Sequence, residues 1–219
     1  MNEQEFLAGM QTVLKEACAS HPEQKGQWGW SICGFPLQRG VNMLAGINWG
    51  GRKGVPQPSM PTKQEAEAEK SPFIRGCRKT FSQLGALKID VLRLNYVNVC
   101  PFRSPRMVDL KDEQWDFSIE HFFVPVVDFL RPARVLVMGI SAVEKLLSRN
   151  RILEWSGWRR IESGRRSVSG GWGYIRGETG QYPFLAGPHP NYPEDLRVQI
   201  WRKMFADAPA GIAWTEANT

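Results

Sequence analysis

The sequence has few cysteines and no long apolar run, and both scarcities argue against whole classes of protein. Only four cysteines occur in 219 residues. None forms a CxxC pair and no Cys/His cluster has ligand spacing, so we expect no metal and no disulfide. The apolar stretches are too short to span a bilayer. The acidic residues 1–5 lack the features of a secretory signal. We therefore expect a cytoplasmic or nucleoid-associated protein without membrane contact and without a cofactor.

Two phosphate-binding signatures are also missing. The glycine-rich residues 50–54 do not follow the GxxxxGK[ST] pattern, and no GxGxxG occurs anywhere. A nucleotide-binding enzyme is therefore the weakest of the functions that the sequence leaves open.

Positive charge is abundant, and it is concentrated in one segment. The net charge is +6, and residues 149–176 contain seven arginines but only two acids. Arginine binds phosphate and aromatic rings stack on bases, so arginines interleaved with tryptophans favour a DNA-binding face. The alternative is a solvated surface with aromatic core residues behind it. The arginines that we assign to DNA binding are Arg159, Arg160, Arg165 and Arg166.

Hydrophobic periodicity predicts alternating helices and strands. The expected helices are 3–19, 73–84, 112–130 with a kink at Pro125, 141–149 after a capping box, and one that begins near 193. The expected strands are 41–47, 89–98, 134–139 and 182–187. This order predicts an α/β fold in which helices cover both faces of a central, mostly parallel four-stranded sheet, within a single domain over 1–219. The polar, proline-rich residues 53–72 are expected to form a mobile loop.

Polar residues stand at the ends of three predicted strands. They are Asn48, Asn98 and His189. Because ligands of open α/β sheets bind at the carboxyl edge of the strands, these three side chains are expected to converge there. The alternative for each is structural: a turn residue, a buried polar residue, or a histidine that bonds to the backbone before a helix.

These strand ends resemble motifs of the uracil-DNA glycosylase superfamily. Residues 46–50, Gly-Ile-Asn-Trp-Gly, are similar to the Gly-x-Asn-Pro-Gly motif of the mismatch-specific and single-strand-selective branches. Residues 98–101, Asn-Val-Cys-Pro, resemble an Asn-x-Cys-Pro element, and residues 189–191, His-Pro-Asn, resemble the final His-Pro-Ser motif. Trp49 replaces the usual proline and Asn191 the usual serine.

The resemblance implies a three-layer α/β/α, uracil-DNA glycosylase-like fold and a role for each matched residue. Asn48 would orient the attacking water, and His189 would donate to the departing base. Asn98 would read the base edge. Trp49 or Phe73 would stack on the extruded base. Tyr192 and Asn191 would contact the DNA, and Tyr192 would fill the gap left there or stack on the neighbouring base. The alternative for Tyr192 is a core tyrosine that caps the following helix.

The expected activity is a monofunctional DNA glycosylase that acts, as a monomer, on single- or double-stranded DNA. No lysine lies within the motifs, which disfavours a lyase step through a Schiff base, so the product would be an abasic site. Uracil is the default substrate that the resemblance implies. The long 53–72 segment could instead accommodate a bulky modified pyrimidine, such as a phage base, which would give an antiviral role. The alternative function is a catalytically silent DNA-binding module of the same fold.

Overall fold

The computed structural model describes residues 1–20, 29–34, 37–50, 60–62, 71–87, 89–104 and 106–214. The helices are α1 (Glu3–Ala19), α2 (Pro72–Phe81), α3 (Asp112–Ser118), α4 (Val124–Leu130), α5 (Ile140–Leu147) and α6 (Glu194–Asp207). The strands are β1 (Ser31–Cys33), β2 (Met43–Gly50), β3 (Met60–Thr62), β4 (Asn95–Ser104), β5 (Val135–Met138), β6 (Ile152–Leu153), β7 (Arg159–Ser163), β8 (Arg166–Arg176) and β9 (Gln181–Gly187). No helix in these ranges is long and apolar enough to cross a membrane.

The fold is α/β, as expected, but its sheet is larger and more mixed than the sequence predicts. Within the described ranges, nine strands join in the order β3-β1-β4-β2-β5-β9-β8-β6, with β7 paired to β8. The four adjacent strands β4, β2, β5 and β9 are parallel and correspond to the four predicted strands. The antiparallel β6, β7 and β8 extend this block on one side. The expectation of a mostly parallel four-stranded sheet is therefore wrong in strand number and in overall direction.

Helices pack on both faces of the sheet and enclose two hydrophobic cores. On one face α1, α3, α4 and α5 cover the apolar side chains of the parallel strands, including Val97 and Val137. On the other face α2 and α6 cover the alternate side chains, including Leu44 and Leu136. Strands buried on both faces need apolar residues at nearly every position, which is why these segments are almost continuous apolar runs.

Capping and ring packing explain the position of α1. Asn2 and Glu5 form a capping box, in which each side chain accepts a hydrogen bond from the backbone N–H of the other. Phe6 then stacks on Phe129 of α4, with ring centroids 4.0 Å apart. These contacts begin the helix at Glu3 and attach its apolar face to the core.

The helix is interrupted by a π-helical turn just before Pro125, where the sequence predicts a kink. The chain passes from α3 into a π-helical turn, Ile119–Phe123, before α4 begins. Proline has no backbone N–H, so it cannot extend an ordinary helical ladder. The π turn instead places Pro125 in the first turn of α4, where its missing donor costs little.

The capping box predicted at the start of α5 is wrong. The helix begins one residue earlier, and Gly139 stands at its N-cap without any side-chain cap. Gly139 has φ 136°, and a Cβ built there would lie 2.6 Å from Ile47 Cδ1. Positive φ and close packing against β2 both demand glycine at this turn.

Part of the predicted mobile loop lies outside the described residues. Residues 53–59 and 63–70 of that segment are not described, whereas Met60–Thr62 forms β3, which pairs in parallel with β1. Pro72, the last residue of the predicted loop, begins α2.

Candidate functional site

Asn98 lies in the middle of β4, not at a strand end as the sequence predicted. Its partner across the parallel pair is Gly46 of β2. A Cβ on Gly46 would lie 2.0 Å from Asn98 Oδ1, so the Asn98 amide occupies space that only glycine leaves open. The Asn98 side chain is 1% exposed. The glycine of the first motif and the asparagine of the second thus form one packing unit.

An aromatic cluster surrounds this amide. The Phe73 ring stacks on Tyr96, with centroids 5.1 Å apart, and the Trp49 ring is tilted against Tyr96, with centroids 4.9 Å apart. Phe73 also reaches the imidazole of His189, at 5.4 Å between ring centroids. Three predicted site residues, on β2, β4 and α2, therefore adjoin Tyr96, and His189 on the loop after β9 joins the cluster through Phe73.

Tyr96 is a member of this cluster that the sequence analysis missed. It stands two residues before Asn98, and strand alternation places both side chains on the same face of β4. Burial is the main reason that the pKa of Tyr96 is raised, followed by the neighbouring Cys77, while a contact with the Asn98 amide opposes them. The signal that could have identified Tyr96 was its spacing from Asn98.

The loop that follows β9 holds His189 in one orientation. The backbone carbonyl of His189 accepts a hydrogen bond from Tyr192 N at 3.0 Å. Its Nδ1 accepts from the Asn191 N–H at 3.3 Å. The ring is half-buried, as expected for a residue that is both packed and accessible. An Nδ1 that accepts this bond leaves Nε2 as the protonated nitrogen of the neutral ring.

His189 is neutral at physiological pH. Burial lowers its pKa from 6.5 to about 4, and the nearby Arg197 guanidinium contributes in the same direction. A neutral imidazole with its proton on Nε2 can donate one hydrogen bond to a ligand oxygen without carrying charge.

Asn48 lies on the same strand as Gly46, two residues farther toward the carboxyl edge. By strand alternation its side chain shares the face of Gly46, roughly 7 Å farther along the strand. Its Nδ2 donates to the carbonyl oxygens of Trp49, at 3.1 Å, and Ser104, at 3.4 Å. These bonds orient Oδ1 away from both carbonyls. No hydrogen bond joins the Asn48 amide to Asn98 or His189, so the structure brings Asn48 to the same edge but not into the aromatic cluster.

Two buried donors in the cluster have no hydrogen-bond partner among the described residues. They are Asn98 Nδ2 and Trp49 Nε1. A buried donor without a partner costs about 1–3 kcal/mol, so such groups need an explanation. Trp201 and Trp214 have the same property deeper in the core. What distinguishes Asn98 and Trp49 is that both adjoin Tyr96, whose ring stacks on Phe73.

The basic segment contains an antiparallel hairpin, β7–β8, that extends past the carboxyl edge of the parallel strands. Gly171 of β8 pairs with Ala186 near the end of β9, and Arg166 stands five residues farther out. At about 3.3 Å per residue, the hairpin extends roughly 16 Å beyond that pair. Arg165 and Arg166, both exposed, lie at its tip. The hairpin is therefore on the same edge of the sheet as His189.

Not all arginines of this segment contribute to an open surface. Arg149 pairs with Asp116 of α3, and Arg151 pairs with Glu120 and Glu178. Arg160 pairs on the surface with Glu162 at 3.1 Å. The arginines assigned to DNA binding from the sequence, Arg159, Arg160, Arg165 and Arg166, are all exposed.

The tryptophans of the basic segment pack inward. Trp172 is buried beneath Arg159, whose guanidinium carbon lies 5.1 Å from the indole centroid. Trp155 is parallel to Phe184, with centroids 5.9 Å apart, and meets Trp158 edge-on. These contacts favour the alternative in which the aromatic residues form core behind an arginine surface. Stacking on DNA bases is not the role that their packing indicates.

Tyr192 and Asn191 are exposed at the turn after His189. Tyr192 is 43% exposed, which places it among the few large apolar side chains that face solvent in the described residues. The residue before α6 is Pro193, so Tyr192 is neither a core residue nor a helix cap.

No protein-family model matches this sequence, and no curated protein shows significant similarity to it. Among the described residues, no group of three or more His, Cys, Asp or Glu side chains could hold a metal ion. Function has to be inferred from the chain's own residues and their geometry.

Proposed function

We propose that this protein is a monofunctional DNA glycosylase that extrudes a pyrimidine-type base and hydrolyses its N-glycosidic bond. The observation that carries the proposal is the cluster in which Phe73 links buried Asn98, without a partner for Nδ2, to the neutral donor His189. The order β4-β2-β5-β9 of the parallel strands, with helices on both faces, supports a three-layer uracil-DNA glycosylase-like fold.

The chemistry assigned to His189 is stabilisation of the leaving base. When the bond between the sugar C1′ and the base nitrogen breaks, its electron pair passes to the base and negative charge develops on a ring carbonyl oxygen. His189 Nε2–H donates to that oxygen. One preorganised donor of this kind contributes about 3–4 kcal/mol in comparable oxyanion sites.

Asn48 is assigned to the water that completes the reaction. Its amide nitrogen is held by two backbone carbonyls, and its oxygen remains oriented to accept a hydrogen bond from water. The water oxygen bonds to C1′, one water proton is released to solvent, and the base leaves with a proton taken up in exchange. Positioning is the main contribution because an amide is a poor base.

Asn98 and the aromatic residues are assigned to the base. The free Nδ2 of Asn98 suits a carbonyl acceptor on the base edge. Phe73 is half-buried, whereas Trp49 is 4% exposed and already covered. We therefore assign the stacking role to Phe73. Trp49 packs against Tyr96, and its indole N–H has no hydrogen-bond partner among the described residues.

The DNA contacts are assigned to the exposed residues on the same edge. Arg165 and Arg166 at the hairpin tip, with Arg159 and Arg160, neutralise phosphates. Tyr192 fills the gap that the extruded nucleotide leaves. Extrusion costs a few kcal/mol, and these contacts offset it.

The substrate is proposed as uracil or a modified pyrimidine, and excision of a phage base would make the protein an antiviral enzyme. The test is a panel of single- and double-stranded oligonucleotides with different pyrimidines, incubated with the protein and cleaved by alkali at abasic sites. His189→Ala is expected to slow base release about 10²–10³-fold at saturating enzyme, and Asn48→Ala to slow it as well. DNA binding is expected to persist in both.

His121→Ala is the matched control, because His121 lies on the π-helical turn, against Phe117, far from the cluster in the sequence and in the fold. It should release base at the wild-type rate. Binding without base release across the whole panel would instead identify the protein as a catalytically silent DNA-binding module.

A further inference from the structure

Arg197 of α6 is a buried cation without a carboxylate partner in the described part of the chain. The residue is 4% exposed. Its Nη1 donates to the Gly76 carbonyl oxygen at 3.3 Å, and its Nε has no hydrogen-bond partner among the described residues. An uncompensated buried charge is costly, so its presence needs an explanation.

The guanidinium lies between α2 and the loop that carries His189. A Cβ on Gly76 would lie 2.5 Å from Pro190 Cβ and 3.4 Å from Arg197 Nη1. Pro190 directly follows His189, and Gly76 lies one helical turn after Phe73. Arg197 therefore contacts α2 and lies near the loop that carries His189.

The other ionisable groups around His189 leave the charge of Arg197 uncompensated. Burial raises the pKa of Cys77 on α2 and of Tyr96 on β4, so both are neutral. Glu194 on α6 is near enough to affect Arg197, but its carboxylate already pairs with Lys79 of α2 and accepts from Gln83. Asp195, also on α6, is exposed.

We propose that Arg197 is a positioning residue, a fixed cation near His189 that adds to the effect of burial and disfavours protonation of the imidazole. The same field favours negative charge on the base oxygen that His189 contacts. This second part rests on the proposed glycosylase function, whereas the first part is a property of the protein alone.

The direct test is titration of His189 by NMR in protein with labelled histidine. The chain contains three histidines, and His189→Gln and His121→Ala assign two of the signals. In Arg197→Gln, which retains a donor for Gly76, the pKa of His189 is expected to rise by about one unit above its low starting value. In Arg197→Lys it should stay within a few tenths of a unit of wild type, and His121 should not move in either variant.

Thermal unfolding separates this role from that of a structural clamp. Replacing a buried unpaired charge by a neutral side chain is often neutral or stabilising, so Arg197→Gln and Arg197→Met are expected to melt near the wild-type temperature. A lower melting temperature together with an unchanged His189 titration would overturn the proposal. So would a His189 pKa that rises equally in Arg197→Lys.

Single-turnover base release tests the catalytic part. In Arg197→Gln the acid limb of the pH profile should move to higher pH, and the plateau rate should fall about tenfold with unchanged DNA affinity. Absence of base release by wild-type protein would refute the proposed function, while the NMR titration would still decide the electrostatic role. Base release by Arg197→Gln at the wild-type rate and pH dependence would refute the catalytic part alone.

Discussion

At the scale of single residues, the placement of one amide depends on the absence of one methyl group. The Asn98 side chain packs over Gly46 of β2. Phe73 borders the same space, since its Cζ would lie 3.3 Å from a Cβ on Gly46. Packing of this density leaves no room for a neighbour to move far. The conformation of the proposed base-reading residue is thus determined by its strand partner.

Gly46→Ala is expected to displace the Asn98 amide. A Cβ 2.0 Å from Oδ1 cannot be tolerated, so we expect a loss of about 1–3 kcal/mol in the free energy of unfolding, together with loss of base release. Urea unfolding and the alkaline cleavage assay measure the two effects. Gly9→Ala is the matched control, because Gly9 lies on α1 with no atom near its would-be Cβ. It should stabilise the protein by about 0.5–1 kcal/mol. Wild-type stability and activity in Gly46→Ala would contradict the placement of Asn98.

At the scale of elements, the arginines of the basic segment divide into two groups, those in ion pairs with the helical layer and those exposed at the tip of the β7–β8 hairpin. Near its base, Arg149 and Arg151 attach the segment to the helical layer through Asp116 and Glu120. At its tip, Arg165 and Arg166 face solvent. Attachment at the base allows a two-stranded extension to keep its position while its tip remains available to a polyanion.

Arg165→Ala and Arg166→Ala are each expected to reduce the salt dependence of DNA binding. Each lost phosphate contact should lower the slope of log affinity against log salt by about 0.9, and fluorescence anisotropy from low to physiological salt measures it. Arg93→Ala is the control: its side chain is 83% exposed and lies in a short 3₁₀ turn before β4, at the opposite edge. An equal change of slope in all three variants would refute the assignment of the hairpin tip.

At the scale of the whole molecule, one sheet separates two cores, and the described cysteines of these cores are Cys33 and Cys100 in one and Cys77 in the other. Cys100 lies in the core covered by α3 and α4, and Cys77 in the core covered by α2 and α6. Both are buried free thiols. Burial raises the pKa of Cys100 to about 12 and also raises that of Cys77, so neither forms a reactive thiolate in the folded protein.

Thiol labelling across a urea series is expected to report both cores at once. In native buffer only the half-buried Cys18 should react with an aromatic disulfide reagent, and slowly, because burial raises the pKa of its thiol; Cys18→Ser should remove that reaction. Cys33, Cys77 and Cys100 should become reactive at the same urea concentration, because the two cores share the strands between them. Labelling of Cys77 at a clearly lower urea concentration than Cys100 would show that the cores unfold separately.

The predicted strands that proved accurate are those with the strongest local signal. Residues 134–139 and 182–187 are near-continuous apolar runs, and β5 and β9 occupy them. The second predicted strand, 89–98, was placed too early, because β4 spans Asn95–Ser104 and continues through Pro101. In the structure Pro101 lies where the β2–β4 register shifts, opposite the Asn48–Trp49 step, and proline is tolerated at such irregularities. β1, β3 and β6 have three residues or fewer and depend on their neighbours.

The sequence by itself determined the apolar runs of the parallel strands, the amphipathic helices and the excess of arginine at 149–176, because each of these is a local pattern of side chains. Only the tertiary structure decided that Asn98 lies inside its strand, that Tyr96 and Arg197 adjoin the site, and that His189 is neutral. The physical reason is that burial, unpartnered donors and shifted pKa values arise between residues far apart in the chain. No local pattern contains them until the two faces of the sheet are packed.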